Sequence, residues 1–296
     1  MNALYDYLAR LAEAGTLPSP FRYPFITRGL LAVLIIAPLL GGMSHLVVAR
    51  RLAFLSSALG HAALTGLTLG LLAGAPMSSP YAGMLGFCLL AGIAMVYVKR
   101  RSSLPPDTLI GVFMSLTLGL GICLLVAATK TFNIHQIEGV MFGSLLTVTD
   151  TDLLVLLIAS VLVATILAVF YNVLLLDSVE PRLAGVRGMR TTFVEYLFVA
   201  LLTMAIVVSL KIIGALLVEA LVVVPAAAAR NLAKNTRVYW ALSIAVALVS
   251  GIGGIFVSSF WKVPTGGAVV LSLTALFFVT LGVGALFARR ETTQSE

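Results

Sequence analysis

The 296 residues are 60% hydrophobic and 10% charged, with a mean hydropathy of +1.09. At that composition a soluble domain has too few polar groups to cover its surface, so a water-soluble fold is excluded and the apolar faces must meet lipid. The net charge of +7 and pI near 9.7 then belong to basic cytoplasmic loops, and no nucleic-acid partner is expected.

The first 24 residues read as an extracytoplasmic segment. They hold no cleavable signal peptide, because Asp6, Arg10 and Glu13 interrupt any apolar run. Nine apolar segments follow, at about 28–48, 53–73, 81–98, 107–129, 150–172, 193–211, 212–229, 238–258 and 266–288. Each is long enough to cross about 30 Å of hydrocarbon at about 1.5 Å per residue. The seventh is separated from the sixth only by Lys211, and reads either as a ninth span or as a short or broken helix that leaves eight. The expected fold is all-α: a polytopic membrane protein of eight to nine transmembrane helices, one transmembrane domain over 25–290 and a cytoplasmic tail at 291–296. Runs of this length, without ten-residue alternation, exclude a β-barrel.

With the N-terminus outside, thirteen of the nineteen Lys and Arg residues fall in inside loops, at 50–51, 99–101, 182–190, 230–237 and 289–290. The positive-inside rule therefore sets the N-terminus outside and the C-terminus in the cytoplasm, for an odd number of spans.

Ionisable groups at bilayer depth are expensive and normally face a cavity or a partner. In chain order, His45 lies one turn from the cytoplasmic end of the first span, where a histidine also reaches the interface without a functional role. His61 lies in the middle of the second, with Ser57 four residues earlier on the same face, about 40° away. A neutral imidazole is a good ligand for a borderline divalent metal and a hydroxyl a weak one; the competing reading is a histidine hydrogen-bonded between helices. Gly66, Gly70 and Gly74 continue that helix at four-residue spacing and read as a packing seam. Cys88 and Cys123 lie inside apolar runs and read as small buried hydrophobes. The outer stretch 130–149 carries His135 and Glu138.

The inside loop 174–192, LLLDSVEPRLAGVRGMRTT, is acidic and then basic, with one proline and two glycines. It reads equally as a solvated connector or as a short amphipathic helix on the cytoplasmic face. Glu219 lies mid-segment, six residues before Pro225, whose missing N–H frees the carbonyl of Leu221 and favours a kink. A carboxylate close in sequence to a free carbonyl suits a cation; the competing reading is a protonated or paired carboxyl. The sequence contains no GxxxxGK[ST], G-x-G-x-x-G or HExxH motif. The chain is therefore not expected to be an enzyme, and ATP-driven transport would need another polypeptide.

Several segments, in order, resemble the membrane subunits of zinc- and manganese-type metal ABC importers. They are YPFITRGLLA at the first span; VVARRLAFLSSALGHAALTG, similar to the family's RR-x-x-F-x-x-D-A-x-x-H-A; DTLIGVFMSLTLGLG at 107–121; MFGSLLTVTDTDL at 141–153; DSVEPRLAGVR at 177–187; GALLVEALVVVPAAAAR at 214–230; and VPTGGAVVL at 263–271. The resemblance implies a multi-pass protein of a bacterial-type cytoplasmic membrane that moves a divalent transition metal, zinc first and then manganese or iron, and holds no permanent cofactor. It also implies a second permease copy, most simply a homodimer, a cytoplasmic ATP-binding subunit and an extracytoplasmic solute-binding protein. The loop at 177–187 resembles the family's coupling helix, which assigns ATPase docking to Val179, Glu180, Pro181, Leu183, Ala184 and Gly185. The chain departs from the pattern in having Ser57 where the family has Asp, and Glu219 where it has a small or hydroxyl residue. Glu219 is therefore expected to supply the missing charge to a metal position with His61, and His45 to complete a rearranged site with Ser57 nearby. An ion-coupled secondary transporter, with Glu219 and His61 carrying protons, and a non-transporting scaffold are the alternatives.

Overall fold

A computed structural model describes residues 24–74, 81–128, 148–180, 184–185 and 189–293. Among the described residues there are nine helices and no strand: α1 (Pro24–Ala49), α2 (Leu55–Leu72), α3 (Tyr81–Arg101), α4 (Pro106–Ala128), α5 (Asp150–Val179), α6 (Thr191–Ile213), α7 (Ala215–Arg230), α8 (Thr236–Trp261) and α9 (Thr265–Thr293). Eight are long and apolar enough to cross a membrane. The exception is α7, whose 16 residues reach only about 24 Å at 1.5 Å per residue.

The α6–α7 break falls at Gly214 and not at Lys211. Gly214 adopts φ 80 and ψ 162, a conformation essentially confined to glycine. Lys211 is still inside α6, with its ammonium 4.6 Å from the centre of the Tyr81 ring. Pro225 lies inside α7, which runs through it unbroken.

The chain divides into two compact units. One comprises Leu46–Gly143 and Ile158–Glu219. At its centre is α2, which packs against α3, α4 and α6. Gly66 and Gly70 form the seam expected of them. A Cβ on Gly66 would lie 2.5 Å from the carbonyl oxygen of Gly83, and one on Gly83 would lie 2.9 Å from the Cα of Gly70. Gly74 does a different job: at φ +88, with open space around it, it follows the end of α2 rather than packing. Cys88 is buried, and its thiol points at the carbonyl of Leu59 at 3.4 Å. Cys123 is exposed, contrary to expectation, because its face of α4 is turned away from the unit. Both thiols are free.

The other unit comprises Met1–His45, Ser144–Leu157 and Ala220–Glu296. Here α8 and α9 pack together after a tight turn at Lys262, which has φ 54. Small residues bring α1 against α8, where a Cβ on Gly41 would lie 2.8 Å from that of Ala247. Arg28 and Asp150 pair at 3.1 Å near the starts of α1 and α5. The Asn231 amide donates to the Thr280 hydroxyl at 3.2 Å, which sets the C-terminal end of α7 beside the middle of α9.

Candidate functional site

Between Leu55 and Thr68 every residue of α2 is buried except Ser57 and His61. Their four-residue spacing puts these two openings on one line of the helix. Glu219 is half-buried on α7. Its Oε1 lies 3.5 Å from where a Cβ on Gly60 would stand, and the Cβ of Ala215 lies 3.6 Å from the same point. A bare backbone at position 60 thus lets α7 bring a carboxylate against α2 at the residue next to His61. Among the described residues, no hydrogen bond or ion pair engages the side chains of Ser57, His61 or Glu219. Polar groups at this depth, uncommitted to neighbouring helices, are what a passing cation needs.

His45 has a different setting. It is 1% exposed on α1 and meets the Tyr239 ring edge-on, with centroids 6.0 Å apart. Among the described residues, no group of three or more His, Cys, Asp or Glu is placed to hold a metal ion.

The loop between α5 and α6 presents Val179, Glu180 and Gly185 on the surface. Ala184 is fully buried, and its N–H donates to the Glu180 carbonyl at 3.2 Å. It is thus an anchor of the loop rather than part of its outer face. Pro181 and Leu183 lie outside the described residues.

Sequence reasoning missed the base of that loop. A cavity of about 370 Å³ lies there, lined by Arg50, Arg51, Lys99, Arg100, Asp177 and Glu195 among others. Arg50 pairs with Asp177 at 2.9 Å, with both side chains 8% exposed. Glu195 pairs with Lys99 at 2.6 Å and with Arg100 at 3.0 Å. Burial lowers the Arg50 pKa from its ordinary value, and the Asp177 carboxylate opposes that shift. The signal available in the sequence was an acidic residue in an inside loop, Asp177, and another three residues beyond it, Glu195, in a chain with basic runs at 50–51 and 99–101. Counting those basic residues only for orientation hid their partners.

The model of the ABC 3 transport family matches residues 22–284. The chain belongs to that family. This ABC 3 chain is 30% identical over 258 residues to the manganese import system permease protein ScaB of Streptococcus gordonii, covering 87% of itself and 91% of the relative. It is also 30% identical over 259 residues to the high-affinity zinc uptake system membrane protein ZnuB of Haemophilus influenzae, covering 88% and 96%. Among solved structures it is similar to PsaBC from Streptococcus pneumoniae in complex with Fab, with a TM-score of 0.77, 25% identity and 95% of each chain covered. The family and the eight long apolar helices together make this a multi-pass membrane protein of the ABC importer type.

Proposed function

We propose that the chain is the permease subunit of an ABC importer that carries a divalent transition metal across a bacterial cytoplasmic membrane, with ATP hydrolysed by a separate cytoplasmic subunit. The observation that carries this reading is the Glu219 carboxylate set against Gly60, on the helix whose line of openings between Leu55 and Thr68 is Ser57 and His61. Glu219 supplies the charge that Ser57 lacks. An imidazole and a carboxylate suit zinc, and manganese is the second candidate because a relative is named for its import. Two ligands from one chain hold an ion weakly enough to release it, and a second permease copy brings its own pair to the same path. Zinc or manganese is here the cargo and not a resident cofactor.

Charge supports an orientation with the N-terminus outside and the C-terminus in the cytoplasm. The C-terminal ends of α1, α3 and α5 and the N-terminal end of α6 gather around Arg50, Lys99, Arg100 and Glu195. Basic residues mark that end as cytoplasmic. Short as it is, α7 returns the chain to the same side and keeps the crossing number odd.

The test is ATP-dependent uptake of labelled zinc and manganese by proteoliposomes holding the permease, its ATPase subunit and a metal-loaded solute-binding protein. Uptake of either metal that needs all three components supports the reading. Metal pumping by the permease alone overturns it in favour of an ion-coupled carrier, and absence of uptake of both metals points to a scaffold.

Docking of the ATPase falls to the α5–α6 loop, with Val179, Glu180 and Gly185 as its described outer face and Pro181 and Leu183 between them. The double variant Glu180→Arg with Gly185→Trp is expected to lower recovery of the ATPase in pull-downs by at least about tenfold, since a reversed charge and a bulky ring at an interface cost several kcal/mol. Undiminished recovery removes the loop from the interface.

A further inference from the structure

The ends of the docking loop are fastened to the helix bundle by two charge clamps. On the α5 side the clamp is Arg50, which lies in the turn between α1 and α2. Its Nη2 pairs with Asp177 at 2.9 Å and donates to the Leu174 carbonyl at 3.1 Å, while its Nε donates to the Ser178 hydroxyl at 2.9 Å. The guanidinium carbon also lies 4.6 Å from the centre of the buried Phe198 ring on α6. One side chain thereby grips the last turn of α5 and the neighbouring helix, immediately before the chain enters the loop at Val179 and Glu180. On the α6 side, Glu195 is held by Lys99 and Arg100 from the end of α3.

The turn that carries Arg50 is stiff. The N–H of Arg50 bonds to the Leu46 carbonyl and that of Leu52 to the Val47 carbonyl, and Arg51 is held at φ 57. From this turn α2 begins at Leu55, and Ser57 and His61 follow within its first two turns. The structure therefore contains a short rigid route from the loop, through Asp177 and Ser178, to Arg50 and on to the helix that bears His61.

We propose that Arg50 and Asp177 are positioning residues that couple movement of the docking loop to α2, so that ATP hydrolysis below changes the setting of the Ser57–His61 line above. A buried pair restrained by four contacts on one guanidinium transmits displacement, where a solvated pair would slide. The inference rests on the function proposed above. It concerns coupling and not metal binding, since neither residue touches the ion.

The test uses the full complex in proteoliposomes and compares Arg50→Lys and Asp177→Asn with wild type, measuring complex yield, ATP hydrolysis and metal uptake together. Arg50→Lys keeps the charge but loses the fork that reaches Ser178 and Leu174. Asp177→Asn keeps the shape but loses the charge. Both variants are expected to assemble and to hydrolyse ATP at a rate within about twofold of wild type, while metal moved per ATP falls about tenfold, a common size for coupling between distant sites. A purely structural role would lower both rates alike. A transport-to-hydrolysis ratio equal to wild type in both variants overturns the proposal, as does failure of both to assemble, which assigns the pair to folding. If the wild-type complex moves no metal with ATP, the proposed function is what fails.

Discussion

Glu219→Gln lowers ATP-dependent metal uptake by about ten- to a hundredfold, the loss that disturbing even an outer partner of a metal ligand brings. The substitution keeps the shape of the side chain and its fit against Gly60, so the bundle and its ATPase association remain intact. What is lost is the carboxylate charge set against α2 at Gly60, and an amide oxygen is a poor substitute for a carboxylate toward zinc. His61→Ala is expected to show a loss of the same order. The measurement is initial uptake of labelled zinc or manganese at several metal concentrations, normalised to ATPase activity. A Glu219→Gln protein that transports at the wild-type rate takes the carboxylate out of the path. Ser57→Asp provides the converse. A carboxylate one turn from His61 is expected to restore most of the uptake lost in Glu219→Gln, because it returns the missing charge to the same line of α2.

Gly66→Ala is expected to destabilise the protein by about 3 kcal/mol, the upper part of the range for overpacking a tight core. The new methyl would lie 2.5 Å from the Gly83 carbonyl oxygen and 2.9 Å from the Met84 Cα. Both are backbone atoms, so relief requires α2 and α3 to move apart along their seam. Gly86→Ala on α3 is the control, since a Cβ there meets nothing within 4 Å. Thermal unfolding of the detergent-solubilised protein checks the pair: the midpoint drops by several degrees for Gly66→Ala and stays put for Gly86→Ala. Equal midpoints would mean that the seam yields more easily than its geometry implies. The loss matters for function because α2 is also the helix that carries Ser57 and His61.

Much of this was legible in the residues. Hydropathy located eight long spans and a doubtful seventh segment, and the seventh is indeed the 16-residue α7. The four-residue spacing of Ser57 and His61 put them on one line, and the structure leaves those two positions open on a helix buried around them. The place of the α6–α7 break was misjudged because a lone lysine looks like an interruption, whereas Lys211 stays helical by resting on Tyr81 and the chain breaks where glycine permits φ 80. The hydropathy pattern held no sign that His45 would meet the Tyr239 ring edge-on.

By itself the sequence determined that this chain lives in a membrane, roughly where it crosses, which ends carry positive charge, and which few polar side chains stand in apolar runs. Those properties are local, set by 1.5 Å of rise per residue and by the cost of each side chain in hydrocarbon. Only the tertiary structure decided that Glu219 reaches Gly60, that Arg50 grips Asp177 and Ser178, and that Glu195 gathers Lys99 and Arg100. These contacts join residues about a hundred or more positions apart, and they depend on which helix faces meet. Lipid rewards every apolar face alike, so hydropathy carries no record of which two will be neighbours.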